Sequence, residues 1–151
     1  MIGGREKKGS IYYTSWRGFE LSFNVASEMS QLEVRKYIGN NKILIYFIDK
    51  STPLQPAFRG SVNSLAIVVQ PTEDEKNLKI AFFWKRRILN FVPNLPLSPI
   101  PFDNHQLIRD YIFSNAFDGL YAIAKSPPYS NIINNIFATE FLEIQKEIQK
   151  K

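Results

Sequence analysis

The chain predicts an α+β (α/β) domain, with a central, mostly antiparallel sheet flanked by helices and two long helices at the C-terminal end. Three observations carry that prediction. Strand-like stretches come first, at 19–25, 42–49, 62–71 and 78–87, and helical patterns fill the last third. Apolar residues make up 44% of 151 residues and aromatics 14%, with twelve Phe and seven Tyr. That is enough for one real core and is unlike a disordered chain. No repeat or linker divides it, so the expectation is a single domain over 1–151 with residues 1–10, rich in Gly and charge, mobile.

In "FELSFNV", Phe19, Leu21, Phe23 and Val25 alternate with Glu20, Ser22 and Asn24, the period of a strand with one buried face. A short helix follows, with Ser27 as its expected N-cap and Met29, Leu32 and Val34 facing inward. "KILIYFID" is nearly continuous in apolar residues and predicts a strand covered on both faces. "KSTPLQPAFRGS" is a loop, and "VNSLAIVVQP" is a strand closed by Pro71. "TEDEKN" is a polar turn, so the strand "LKIAFFWKRR" completes a hairpin. "NFVPNLPLSPIP" holds four prolines and predicts an irregular loop. Asp103 or Asn104 caps a helix with Leu107, Ile108, Tyr111, Ile112, Ala116, Leu120, Ile123 and Ala124 at helical spacing. "KSPPYS" breaks it. A last helix from about Ser130 is expected to bury Ile132, Ile133, Ile136, Phe137 and Phe141, and its tail "EIQKEIQKK" turns polar.

Composition excludes several classes. Cys is absent, which removes disulfides, thiolate metal sites and cysteine nucleophiles and fits a reducing, cytoplasmic setting. No apolar run reaches the ~18 residues of a membrane span, and no signal peptide is legible. The net charge of +5 gathers at Arg5 to Lys8, at Lys85-Arg86-Arg87, and at Lys146, Lys150 and Lys151. Such charge suits an acidic protein face, a nucleic acid or an anionic lipid. Aromatics do not interleave with these cations as stacking platforms do, so no nucleic-acid partner is expected.

Motifs for stand-alone chemistry are missing. There is no GxxxxGK loop to cradle a nucleotide and no GxSxG elbow. His105 has no His, Asp or Glu at ligand spacing and reads as a surface or capping residue, so neither metal nor cofactor is expected. Thr72 to Glu75 clusters carboxylates in a turn. Lys85-Arg86-Arg87 reads as a basic strand end or a phosphate clamp.

"RKYIGNN", Arg35 to Asn41, is different. In isolation Gly39-Asn40-Asn41 is a turn before a strand. An asparagine carboxamide, however, offers one acceptor and two donors in fixed geometry. It can hold and aim a water, and phosphoryl transfer depends heavily on such positioning. Gly39 removes a side chain and permits close approach, and Arg35 and Lys36 suit an acidic partner.

The ordered set of segments resembles the catalytic domain of the tuberin-like Rap, Rheb and Ral GTPase-activating proteins. Gly3-Gly4, "FNVAS", "RKYIGNN", "ILIYF", "VNSLAIVVQP" and "VPNLPLSPIP" occur in the family's order, followed by two helices. The resemblance implies a G-domain-like sheet without a phosphate loop. It implies a small Ras-family GTPase as partner, which brings its own GTP and magnesium. It makes Asn40 the asparagine thumb that orients water in trans, so no stand-alone activity is expected. Arg35, Lys36, Tyr37, Gly39, Asn41, Arg86 and Arg87 become partner-binding residues. The oligomeric state is left open. Tyr37 stands where the family has histidine, Asn41 where it has aspartate, and Asn24 where it has the strand histidine. The loop before the thumb is shorter and the late F-G-P is not kept. Those departures set a second expectation beside the first, a non-catalytic adaptor that binds a small GTPase.

Overall fold

Arg17 and Gly18 both adopt positive φ, 47° and 82°, and form the two-residue turn of a tight hairpin. They join β2 (Ile11–Trp16) to β3 (Phe19–Asn24), with Trp16 paired to Phe19 and Ile11 to Asn24. β1 (Glu6–Lys8) adds to β2 and completes a three-stranded antiparallel sheet. This computed structural model describes residues 6–8, 11–55, 58–96 and 99–148, with the side chains of 6–8, 137, 138 and 141–148 left undescribed. Gly3-Gly4 lies outside the described residues.

The second sheet has the order β4-β5-β6-β7. β4 (Ile43–Phe47) runs parallel to β5 (Leu65–Pro71), which pairs antiparallel with β6 (Asn77–Trp84). The expected mostly antiparallel sheet is therefore present, but the strand at 19–24 belongs to a separate sheet. The strand covered on both faces is β5, where Leu65 to Gln70 are all buried. β4 is an edge strand, and its Phe47 is 73% exposed. The late proline-rich stretch, expected to be irregular, contributes the two-residue strand β7 (Ile100–Pro101) on the outer side of β6. Proline is tolerated on such an edge.

α2 (His105–Lys125) covers one face of this sheet. Leu65, Ile67 and Val69 of β5 pack with Ile112, Ala122 and Ile123 of α2 and with Ile88 and Phe91. Asn104, one of the two expected caps, accepts from the Leu107 amide at 3.1 Å, and His105 is simply the first residue of the helix. The inward face differs in part from the expected one. Leu107 and Leu120 are exposed, while Asn115, Gly119 and Ala122 are buried. A Cβ at Gly119 would fall 2.3 Å from a Leu65 methyl, so the small residue lets helix and sheet meet. Asn115 accepts from the Asn94 amide at 2.8 Å, and the Tyr111 hydroxyl donates to the Asn94 carbonyl at 2.5 Å, which pins the proline-rich loop.

Trp16 joins the two sheets' layers. Its ring stacks on Phe117 at 5.3 Å and meets Phe113 edge-on at 5.9 Å, and its indole N–H donates to Asp110 at 2.7 Å. Arg109 donates to the Ser15 carbonyl at 2.6 Å. α3 (Tyr129–Ile148) follows the break at Ser126 to Pro128. Among its described side chains, Tyr129 at its start packs against the core. The expected burial of Ile132, Ile133 and Ile136 does not occur: they are 53%, 37% and 52% exposed. Phe137 and Phe141 have side chains outside the described set.

Candidate functional site

The projecting segment begins with a cap. α1 (Gln31–Tyr37) starts at Ser30, not Ser27, which lies in a 3₁₀ turn at Ala26–Glu28. The Ser30 side chain accepts from the Glu33 amide, and the Glu33 carboxylate accepts from the Ser30 amide at 2.9 Å and its hydroxyl at 2.7 Å. This is a reciprocal capping box. The Ser30 hydroxyl, then its amide, holds the Glu33 carboxyl below its ordinary value. That contribution is complete above the unfolded value and fades as pH falls through the lowered one. Ser30→Ala is expected to cost α1 about 1 kcal/mol, read as faster amide exchange at Val34 to Tyr37. Unchanged exchange would show that the box does not hold the helix.

No residue of α1 is buried. Leu32, expected inside, is 77% exposed, and Met29 and Val34 are half-buried. A helix of seven residues with so little buried cannot stand on propensity alone. Its far end supplies the missing support. Ile38–Asn40 continues as a 3₁₀ helix, and Ile38 is the one buried residue in it. Arg35, Lys36 and Tyr37 remain exposed, with the Lys36 ammonium 5.1 Å above the Tyr37 ring. Asn40 is exposed, and its amide nitrogen donates to the Lys36 carbonyl at 2.7 Å. Asn41 closes the segment by donating its backbone amide to the Ile38 carbonyl at 3.2 Å.

The Gly39 position is open: a Cβ there would meet nothing within 4 Å, and no left-handed φ requires glycine. Gly60 is the opposite. A Cβ on it would sit 2.4 Å from the Gly39 carbonyl oxygen. The loop 60–64 therefore passes directly against the backbone that carries Asn40.

Asn63, wholly buried, locks that contact. Its amide nitrogen reaches the carbonyls of Ile38 at 3.0 Å, Gly39 at 3.3 Å and Asn41 at 2.5 Å, while its oxygen accepts from the Gly60 amide at 2.7 Å. The sequence places Asn63 only at the head of a strand. A buried carboxamide has no period of its own, and its partners are set by the tertiary fold, so only a Gly-Ser-Val-Asn loop shows in the sequence. The same device recurs at the other end of β5, where buried Gln70 donates to the carbonyls of Asp49, Lys50 and Thr52.

The cations after β6 turn toward the same loop. The Lys85 ammonium donates to the carbonyls of Gly60 and Ser61 at 2.9 and 3.0 Å, and Arg87 donates to Ser61 at 2.6 Å. Burial, with Arg87 beside it, lowers the Lys85 pKa. Arg86 is exposed. The structure thus brings Arg87 to the base of the segment that ends in Asn40. A hollow of about 510 Å³ nearby is lined by Leu54, Gln55, Phe58, Phe82, Phe83 and Trp84. None of these described residues is charged, and the Lys85 ammonium lies 5.4 Å from the centre of the Phe58 ring. Among the described residues no cluster of acids and histidines could hold a metal ion, and no helix is long and apolar enough to cross a membrane.

The chain is similar to known proteins in sequence and in shape. The chain is 26% identical over 130 residues to GTPase-activating Rap/Ran-GAP domain-like protein 3 of Gallus gallus, and 25% identical to that of Homo sapiens. Each match covers 78% of this chain but only 14% and 13% of those proteins, so the chain spans about one seventh of their length. The solved structure of the TSC2 GAP domain superposes with a TM-score of 0.55 at 19% identity, covering 80% of this chain and 76% of that one. This likeness shows a shared fold. The Rap/ran-GAP family model matches residues 4–138, which take in both sheets' pairing strands, the Asn40 segment and α2, and the chain belongs to that family.

Proposed function

We propose that the chain stimulates GTP hydrolysis by a small Ras-family GTPase, with Asn40 as a thumb entering the partner's nucleotide site. One observation carries this reading. Asn40 ends a braced projection with its side chain exposed, next to a glycine whose missing side chain the fold itself does not require. In this reading the bare Gly39 leaves room for the partner's surface to come close to Asn40.

In the reaction, the oxygen of a water attacks the γ-phosphorus, the bond to the β-phosphate bridging oxygen breaks, and GDP leaves. The water's proton passes to phosphate or solvent. The nucleotide and its magnesium belong to the partner. The Asn40 carboxamide accepts from and donates around the attacking water, a positioning role that needs no change of protonation. Arg35 and Lys36 give the approaching face a positive potential. Tyr37, Asn41, Arg86 and Arg87 flank it as docking residues.

The test is a panel of Rap-, Rheb- and Ral-like GTPases in single-turnover hydrolysis with and without the chain. Acceleration of at least one supports the reading. Tyr37 and Asn41, in place of histidine and aspartate, favour a second reading, a non-catalytic GTPase-binding adaptor. Tight binding of a GTP-loaded partner with no acceleration would establish that one instead. Gly39→Ala is expected to leave thermal unfolding unchanged and to cut stimulation about tenfold or more, since displacement by an ångström costs on that order. Full stimulation by Gly39→Ala would mean that no close approach occurs there.

A further inference from the structure

We infer that Asn63 and Gly60 act together as a clamp that positions Asn40, so that Asn63 is a positioning residue for the reaction without touching it. This rests on the proposed function for its kinetic consequence, but the clamp itself is a property of the free chain.

The projection has few other anchors. α1 buries nothing, and Ile38 is the only buried side chain between Gln31 and Asn41. Three carbonyls in a four-residue stretch, those of Ile38, Gly39 and Asn41, converge on one buried amide nitrogen. Such convergence fixes the path of the backbone through Asn40, the residue in that stretch whose carbonyl the clamp does not take. Gly60 brings its own backbone within a methyl's width of Gly39, so the loop 60–64 forms a floor under the segment. The floor is braced from β6, because Lys85 bonds to Gly60 and Ser61, and Arg87 to Ser61. The Ser64 amide donates to the Lys42 carbonyl at 2.8 Å and joins the floor to the start of β4. Asn40 therefore projects from a segment tied to the sheet on both sides, where placing the carboxamide is possible without ordering a flexible loop at each encounter.

Two variants separate positioning from folding. Asn63→Asp keeps the shape and the acceptor for the Gly60 amide but replaces the two-proton donor facing three carbonyls with an oxygen that repels them when ionised and donates to one of them at most when protonated. Gly60→Ala leaves Asn63 intact and drives a methyl into the Gly39 carbonyl. In folded Asn63→Asp, amide order parameters of Gly39 and Asn40 should fall from about 0.85 toward 0.6 while those of β5 stay rigid. With a GTPase that the parent chain stimulates, both variants should lose roughly tenfold to a hundredfold in the saturated single-turnover rate. Their affinity for the same GTPase loaded with a non-hydrolysable GTP analogue should stay within about threefold.

Unchanged order parameters together with an unchanged rate would overturn the clamp. Rate and affinity falling together with the folded fraction would also overturn it, since that is what mere destabilisation produces. If Asn63→Asp does not fold, the rate of Gly60→Ala decides. If the parent chain accelerates no GTPase, the proposed function fails on its own, and the order parameters still decide the clamp.

Discussion

Asn40→Ala is expected to lose stimulation by roughly 10²–10³-fold, the scale for removing one aimed polar group from a phosphoryl- or acyl-transfer site. The reasons lie in the geometry. Asn40 is exposed and contributes only one internal hydrogen bond, to the Lys36 carbonyl at 2.7 Å. An exposed bond of that kind is worth about 1 kcal/mol at most, and Ile38 with Asn63 still holds the segment. The variant should therefore fold, bind a GTP-loaded partner almost as well, and fail in the chemical step alone. That pattern, a lower rate at unchanged affinity, marks an interaction made in the transition state. An Asn40→Ala chain that stimulates as well as the parent would remove the thumb from the mechanism.

Trp16→Ala is the change expected to cost most in stability. The side chain is 8% exposed and holds the N-terminal hairpin on α2 through Phe117, Phe113 and Asp110. The Arg17 guanidinium adds a cation over the indole at 4.7 Å. Truncating a buried tryptophan costs about 3–5 kcal/mol, a large share of the roughly 5–15 kcal/mol that holds a domain together. The thermal midpoint should fall by roughly 10 °C, and the hairpin amides should exchange first. A midpoint within a degree or two of the parent would mean that the hairpin is not anchored there. Acid should weaken the same joint. The Asp110 carboxyl is held below its ordinary value by Gln106 first and by the Trp16 N–H second. Its contribution is complete above the unfolded value and is lost as pH falls through the folded one.

The parts of the fold legible in the sequence are those whose burial repeats along the chain. The run Leu65 to Gln70 reads as a strand from its continuous apolar stretch, but the cover on both faces was expected of 42–49 and falls on this run instead. The hairpin with β6 reads from its polar turn, and α2 reads from its spacing and its Asn104 cap. What stayed hidden lacks periodicity. β2 is half-buried along most of its length, so Ile11 to Trp16 shows no alternation. The Arg17-Gly18 turn is the feature that would have revealed it. Leu107, Leu120 and Ile132 sit at good helical positions yet face out, because the sheet covers only a narrow stripe of α2 and, among the described side chains of α3, the core takes in Tyr129. Their places went to Gly119 and Asn115, chosen for close approach and for loop anchoring.

The site divides in the same way. Asn40 can be proposed from the sequence because a basic stretch, a glycine and a following strand occur in a known order. Asn63, Gly60 and Lys85 cannot. Each acts on backbone atoms more than twenty residues away, and nothing local in the sequence records such a contact. The cationic stretch 85–87 shows the limit well. It was visible as charge, but the direction of Lys85 and Arg87, toward the loop at Gly60 and Ser61, follows only from where β6 ends.

The most direct measurement is assembly of a GTPase loaded with GDP and aluminium fluoride, a mimic of the transferring phosphoryl group, with the parent chain and with Asn40→Ala. Asn40 engaged at the water position should make the parent complex stable and the variant complex at least tenfold weaker, while both bind the GTP-analogue form alike. Equal assembly of the two chains with the mimic would contradict a catalytic asparagine at position 40.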